Sequence, residues 1–338
     1  MRHLALLGFV VAATGCSDAM VFTHESTLYQ ATRGIIVHDT DAWGYRGAQV
    51  GMVGTTCAVD VEYATLGTDY DYPGSDDTVE DVGEQGGNVV VLVASEEGVH
   101  IQKDDGFWGA DTDDFPVPDV MQGRLLEDEG VVVLAGDDED CGVEWVGTTA
   151  PGRTDLSPDV CAGSPGLSAD PTLGHAFVGH NGGVSLVTPS SSVVVSEDPS
   201  ELVEWDPVAD VLYAAEIGGT TVRGIEADGA LRWTTEVGGA VQALDDMGVR
   251  ASAVVTVAHE RGGGGVGVID GFTGEIDNSF NTPGAADEVK TSNDGRTLAL
   301  ADDEQVHFYG VQSWFESFAA TDSSGSDTSG DEGLDWGW

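Results

Sequence analysis

One local pattern recurs along this chain and limits its fold more than any other feature. It is a short apolar strand, a small Gly-rich or acidic turn, then a second, alternating strand. The apolar strands are read at 48–53, 89–94, 131–135, 175–178, 211–215, 253–258 and 297–301. Their centres fall near 50, 91, 133, 177, 213, 255 and 299, a step of about 36–44 residues. A step of about 40–45 residues is the length of one four-stranded propeller blade. The repeat therefore predicts an all-β fold, a seven-bladed β-propeller of four-stranded blades over residues 27–318. A two-sheet sandwich and a β-solenoid are the alternatives, and seven units at near-constant spacing favour the propeller.

The clearest unit runs from 211 to 246. Strands are read at 211–216, 221–226 and 231–236, with Ile217-Gly218-Gly219 and Ala227-Asp228-Gly229 as turns. Gly238-Gly239 then leads into a fourth strand at 240–244. Each strand is too short for a typical helix, and β-branched residues dominate. This unit resembles the repeat of the quinoprotein-like (PQQ-like) β-propeller superfamily through Leu212-Tyr213-Ala214, the Asp228-Gly229 turn and Trp233. The segment 292–299 resembles a strand-entry motif of WD40-like and lactonase-like propellers. Such motifs specify a blade and not a function. Two segments are candidates to close the ring against the last blade: residues 27–31 and residues 314–318.

Composition sets limits on partners. The 338 residues carry 60 Asp and Glu against 12 Lys and Arg, a net charge of −48. Nucleic acid is excluded as a partner, because its phosphates need a basic surface. Binding to anionic lipid through a basic patch is excluded for the same reason. Hydrophobic residues at 41% suffice for a core, and 48 glycines fit many tight turns.

The N-terminus reads as an export signal over residues 1–15. Arg2 precedes an eleven-residue apolar run from Leu4 to Thr14, too short to span a bilayer. The run ends in Ala13-Thr14-Gly15-Cys16, which resembles the lipobox of bacterial lipoproteins. That resemblance implies acylation of Cys16, a linker over 16–26 and contact with the membrane through lipid alone. Ser17 after the cysteine is similar to the pattern that favours the outer membrane. The alternative is an ordinary signal peptide cut nearby. Export permits disulfides. Cys141 and Cys161 are close enough in sequence to pair, leaving Cys57 free; three reduced buried thiols are the alternative. Residues 319–338 read as an acidic disordered tail, ending in Leu334-Asp335-Trp336-Gly337-Trp338.

No catalytic motif is recognised. Gly163-Ser164-Pro165-Gly166 lacks the spacing of a nucleophile elbow, and Gly262 to Gly265 lies between strands rather than before a helix. His175 and His180 sit an odd number of residues apart on one strand, on opposite faces. No cofactor is implied. Acidic loops offer the one recurrent site-like feature: Asp69, Asp71, Asp76 and Asp77; Asp111, Asp113 and Asp114; and Asp137, Asp138, Glu139 and Asp140. Asp69, Asp71, Asp76, Asp137, Asp138 and Asp140 are weak Ca²⁺ candidates, since none matches the EF-hand spacing. The expectation is a membrane-anchored binding or scaffold lipoprotein of the cell envelope, with other envelope proteins as partners. It resembles, in architecture, the propeller lipoprotein of the outer-membrane protein assembly machinery. The competing expectation is a propeller enzyme, a quinoprotein-type dehydrogenase or lactonase-like hydrolase.

Overall fold

The computed structural model describes the backbone of residues 20–313, apart from 29–31, 41–46, 55–60, 64–68, 71–77, 86–87, 96, 105–109, 128–129, 173, 292–294, 296 and 303–304. Described side chains begin at Glu80. Phe22–Val311 is one compact unit; Met1–Val21 with Gln312–Trp338 is the other, and only strand ends of it are described.

Among the described residues, seven four-stranded sheets form the blades. Blade 1 is β2 (Thr32–Thr40), β3 (Gly47–Gly54), β4 (Val61–Tyr63) and β5 (Asp69–Tyr70), following β1 (Met20–Leu28). Blade 2 is β6 (Thr78–Gln85), β7 (Asn88–Ser95), β8 (Gly98–Asp104) and β9 (Ala110–Phe115). Blade 3 is β10 (Val120–Leu125), β11 (Val131–Gly136), β12 (Cys141–Val146) and β13 (Gly152–Asp155), then the short helix α1 (Pro158–Cys161). Blade 4 is β14 (Gly166–Asp170), β15 (His175–His180), β16 (Gly183–Thr188) and β17 (Ser191–Ser196). Blade 5 is β18 (Leu202–Asp206), β19 (Val211–Ala215), β20 (Thr221–Ile225) and β21 (Leu231–Glu236). Blade 6 is β22 (Ala240–Asp246), β23 (Ser252–Ala258), β24 (Gly264–Asp270) and β25 (Ile276–Thr282). Blade 7 is β26 (Glu288–Thr291), β27 (Thr297–Ala301) and β28 (Val306–Ser313), completed by β1 beside β28.

The N-terminal strand thus supplies the last blade's fourth member, as one of the two closures expected, but over residues 20–28 rather than 27–31. The first strands of successive blades touch in cyclic order, β2 to β6 and on to β26, which touches β2 again. Closure gives the last blade its fourth strand, so every blade has four. Among the described residues no helix is long and apolar enough to cross a membrane.

The seven apolar strands read from sequence are the second strands of their blades. Val131–Gly136 and Val211–Ala215 are buried almost throughout because a second strand is hydrogen-bonded on both edges and covered on both faces. The unit 211–246 is out of phase by one strand: its fourth member is β22, the first strand of blade 6. A repeat carries a period but no starting point. Asp111, Asp113 and Asp114 lie on β9 and Asp69 on β5, not in loops. Outermost strands have one solvated edge, so apolar alternation does not mark them.

The core lies between blades rather than at the centre of the ring. Leu134, Trp145, Leu167 and Val178 fill the space between blades 3 and 4. Val211, Tyr213, Trp233, Val255 and Ile269 fill that between blades 5 and 6. Phe177 and Trp205 stack across blades 4 and 5 with ring centroids 5.0 Å apart.

Candidate functional site

The ring leaves the first strands facing a central channel, and their N–H groups lack a further strand to pair with. Side chains of the preceding blade answer them. Gly123 N donates to Glu80 Oε2 at 3.1 Å and Leu125 N to Asp81 Oδ2 at 2.8 Å. Leu167 N donates to Gln122 Oε1 at 2.7 Å, and Trp205 N to Ser168 Oγ at 2.9 Å. Thr291 N donates to Asp245 Oδ2 at 2.7 Å. Each bond runs from one blade's first strand to the next. Bulges before Asp81 and before Gln122 shift the register of these strands just where the bridging side chains sit.

Charged groups form a belt on the same strands. Arg124 of β10 reaches across to Glu204 of β18, with Nη2 4.0 Å from Oε2. Lys290 Nζ of β26 lies 2.8 Å from Asp245 Oδ1 of β22. Glu204, Asp245 and Asp246 each bring a carboxylate oxygen within 4.8 Å of the others. Burial pushes the Glu204 carboxyl up to about 7, against the pull of Lys290 and Arg124. Burial, then Asp245 and Glu204, raise Asp246 well above the usual carboxylate range. Burial works against the Lys290 ammonium, but Asp245 and Glu204 outweigh it and hold its pKa above the ordinary value. One of only two lysines in the chain is therefore spent inside the channel.

Among the described residues these three carboxylates are the group that offers itself to a cation, and sequence reading did not find them. Their residues are distant in sequence, and the available signal was the blade period itself. All three are already engaged: Glu204 by Arg124, Asp245 by Lys290 and Thr291, and Asp246 by Gly248 N at 2.7 Å. The lysine ammonium supplies the positive charge that a metal would supply.

The expected site residues are placed as follows. Cys141 and Cys161 form a disulfide that ties α1 to β12, with Cα atoms 5.5 Å apart. Asp137 Oδ1 accepts from Glu139 N and Asp140 N at 2.8 and 2.9 Å, closing the β11–β12 turn. Those two bonds hold its carboxyl below the usual range. Asp138 and Asp140 are exposed on the same turn. Asp69 is on a described strand, whereas Cys16, Cys57, Asp71, Asp76, Asp77 and the terminal tryptophans lie outside the described residues. Trp233 donates from Nε1 to Gly271 O in the next blade at 2.9 Å and packs where a Cβ on Gly274 would sit.

No protein-family profile and no curated protein matches this chain. Solved structures do. A chain of the mitotic checkpoint complex aligns with TM-score 0.58 at 16% identity, covering 86% of this chain and 96% of that one. BBS1N, from its complex with ARL6DN, aligns with TM-score 0.61 at 10% identity, covering 86% and 97%. A catalytically inactive virginiamycin B lyase from Staphylococcus aureus, with quinupristin, aligns with TM-score 0.59 at 12% identity, covering 86% and 99%. The chain is a β-propeller. At these identities the likeness concerns the fold alone, and the fold serves both complexes and enzymes.

Proposed function

We propose that the chain is a lipid-anchored binding protein of a bacterial cell envelope. Its propeller docks an envelope protein that presents apolar residues ringed by lysine and arginine. The observation that carries this reading is a group of exposed large apolar side chains on one rim of blades 5 and 6. Val208, Leu231, Phe272 and Ile276 are 49%, 59%, 56% and 45% exposed. They sit in or beside the turns joining strands one to two and three to four, which antiparallel pairing sends to the same rim.

Contacts between the turns hold these segments together. Arg232 Nη1 donates to Ala209 O at 2.7 Å, and Trp233 Nε1 to Gly271 O. A Cβ on Gly271 would fall 2.8 Å from Ala209 Cβ. Exposed Asp210, Asp228 and Glu275 surround them. An apolar centre with a charged rim is the anatomy of a protein interface, and an acidic rim selects a basic partner. The lipobox-like 13–16 segment supports the anchor. Strand β1 starts at Met20, four residues after Cys16, so an acyl group on that cysteine would tether the chain close to the start of its first strand.

The test compares full-length wild type with a Leu231→Glu/Phe272→Glu double variant in cross-linking from solubilised membranes. A partner captured by the wild type and lost by the folded double variant is expected. Identical captures, or none, overturn the docking surface. Intact mass against Cys16→Ser tests the anchor, and an unmodified wild-type cysteine overturns it.

A further inference from the structure

Blade 2 carries a hydrogen-bonded chain that goes beyond the binding role. Ser95 ends β7, His100 lies on β8 and Asp114 on β9. Ser95 Oγ is 2.7 Å from His100 Nε2, and His100 Nδ1 is 2.8 Å from Asp114 Oδ1. The register brings them together, since His100 pairs directly with Asp114. Ser95 pairs with Gly98, which brings the serine beside the start of β8. Gly98 makes this approach feasible: its φ is +136°, and a Cβ there would lie 2.2 Å from Phe115 O. The end of β9, with Asp114, can therefore lie against the turn. The three residues occupy the rim opposite the apolar group of blades 5 and 6, because they flank a turn joining strands two and three.

The protonation pattern follows from the partners. An ionised carboxylate only accepts, so Asp114 fixes the proton on His100 Nδ1. In the neutral imidazole Nε2 then has a free lone pair that accepts from the Ser95 hydroxyl at 2.7 Å, a shorter path for its single proton than Gly98 O at 3.3 Å. Glu97 N donates to the same Oγ at 3.1 Å, which orients it and favours the developing alkoxide. Hydroxyl to imidazole to carboxylate is the arrangement that activates a serine. His100 is 17% exposed and Asp114 68%, so a solute can reach the site.

We propose that Ser95 is a nucleophile for acyl transfer from small, uncharged or cationic esters, with His100 as general base and Asp114 as its positioning residue. Ser95 Oγ adds to the ester carbonyl while its proton passes to His100 Nε2. The C–O bond to the alcohol breaks and the alcohol leaves with that proton. Water, deprotonated by the same nitrogen, then releases the carboxylic acid and restores the serine. Exposed Glu97, Asp113 and Asp114 disfavour anionic substrates by repulsion.

The test uses the full chain, a fluorophosphonate probe and p-nitrophenyl acetate. Peptide mapping of the wild type is expected to find the phosphonyl adduct on Ser95. Ester turnover is expected to fall at least tenfold in Ser95→Ala and in His100→Gln, with unfolding midpoints recorded for each. Asp114→Asn is expected to lower the rate and move the pH profile, which a merely structural aspartate would not do. Wild-type protein with no adduct on Ser95, or turnover equal in wild type and Ser95→Ala, overturns the proposal.

Discussion

Replacing an acid in the channel by its neutral isostere is expected to stabilise this protein, and only at high pH. The perturbation is Glu204→Gln. In the folded ring the Glu204 carboxyl is raised from 4.5 to about 7, chiefly by burial. The folded state therefore holds this proton more tightly than the unfolded chain does. That gain is complete below pH 4.5 and is lost as pH rises through about 7. At about 1.4 kcal/mol per pH unit, the ionised glutamate costs about 3 kcal/mol above pH 7 relative to its neutral form. Glutamine keeps the shape and cannot ionise. Wild type and variant should match near pH 4.5, and the variant should be more stable by about 3 kcal/mol at pH 8. For a domain of this size that is a rise in Tm of roughly 5 °C. Urea unfolding of both proteins between pH 4.5 and 8.5 measures the difference, in which acids remote from Glu204 cancel, whereas Asp246 and Lys290, which feel its charge, do not. A difference independent of pH, or a variant less stable than wild type at pH 8, refutes the reasoning.

Two further outcomes follow from the same structure. Lys290→Met removes the cation 2.8 Å from buried Asp245, and should cost about 2–4 kcal/mol at pH 8. The loss should shrink toward pH 5 as Glu204 and Asp246 take up protons; urea midpoints at the two pH values check this, and an undiminished loss contradicts it. Cys161→Ser should lower the unfolding free energy by about 2–4 kcal/mol, and reductant should reproduce the loss in wild type but not in the variant. A wild-type midpoint insensitive to reductant would mean the pair contributes nothing to stability.

What could be read in the sequence was what burial imposes on consecutive residues. Second strands such as β11 and β19 are covered on both faces and appear as apolar runs at blade spacing. Outer strands do not. Ser191–Ser196 is mostly exposed, with Val193 and Val194 more than half accessible, and β9 is largely acidic. Blade phase was not legible either, because β21 and β22 follow each other through Gly238-Gly239 as closely as two strands of one hairpin. The channel belt was hidden for a different reason. Arg124, Glu204, Asp245 and Lys290 meet only after closure, because they come from the first strands of four different blades. The Ser95 chain was within reach: folding 88–104 as a hairpin and adding β9 by register puts His100 opposite Asp114. Reading Asp111, Asp113 and Asp114 as a loop removed that possibility.

The acidity itself divides by task. Asp170, Asp206 and Asp246 each end a first strand, and each accepts an N–H two residues on, at 2.9, 2.8 and 2.7 Å. Asp206 also accepts from Ala209 N and from Tyr213 OH, whose pKa is raised by burial and by Asp206 itself. Asp270 closes the blade 6 turn in the same way, through Phe272 N and Thr273 N. Glu80, Asp81 and Asp245 bind the next blade's N–H groups. Short side chains that accept strongly and never donate suit both tasks, because a ring of four-stranded blades has many strand ends and an inner edge with unanswered donors. Part of the aspartate excess thus serves the turns and the inner edge of the propeller. The negative charge that remains lies on exposed turns and outer strands, where it is left to the solvent.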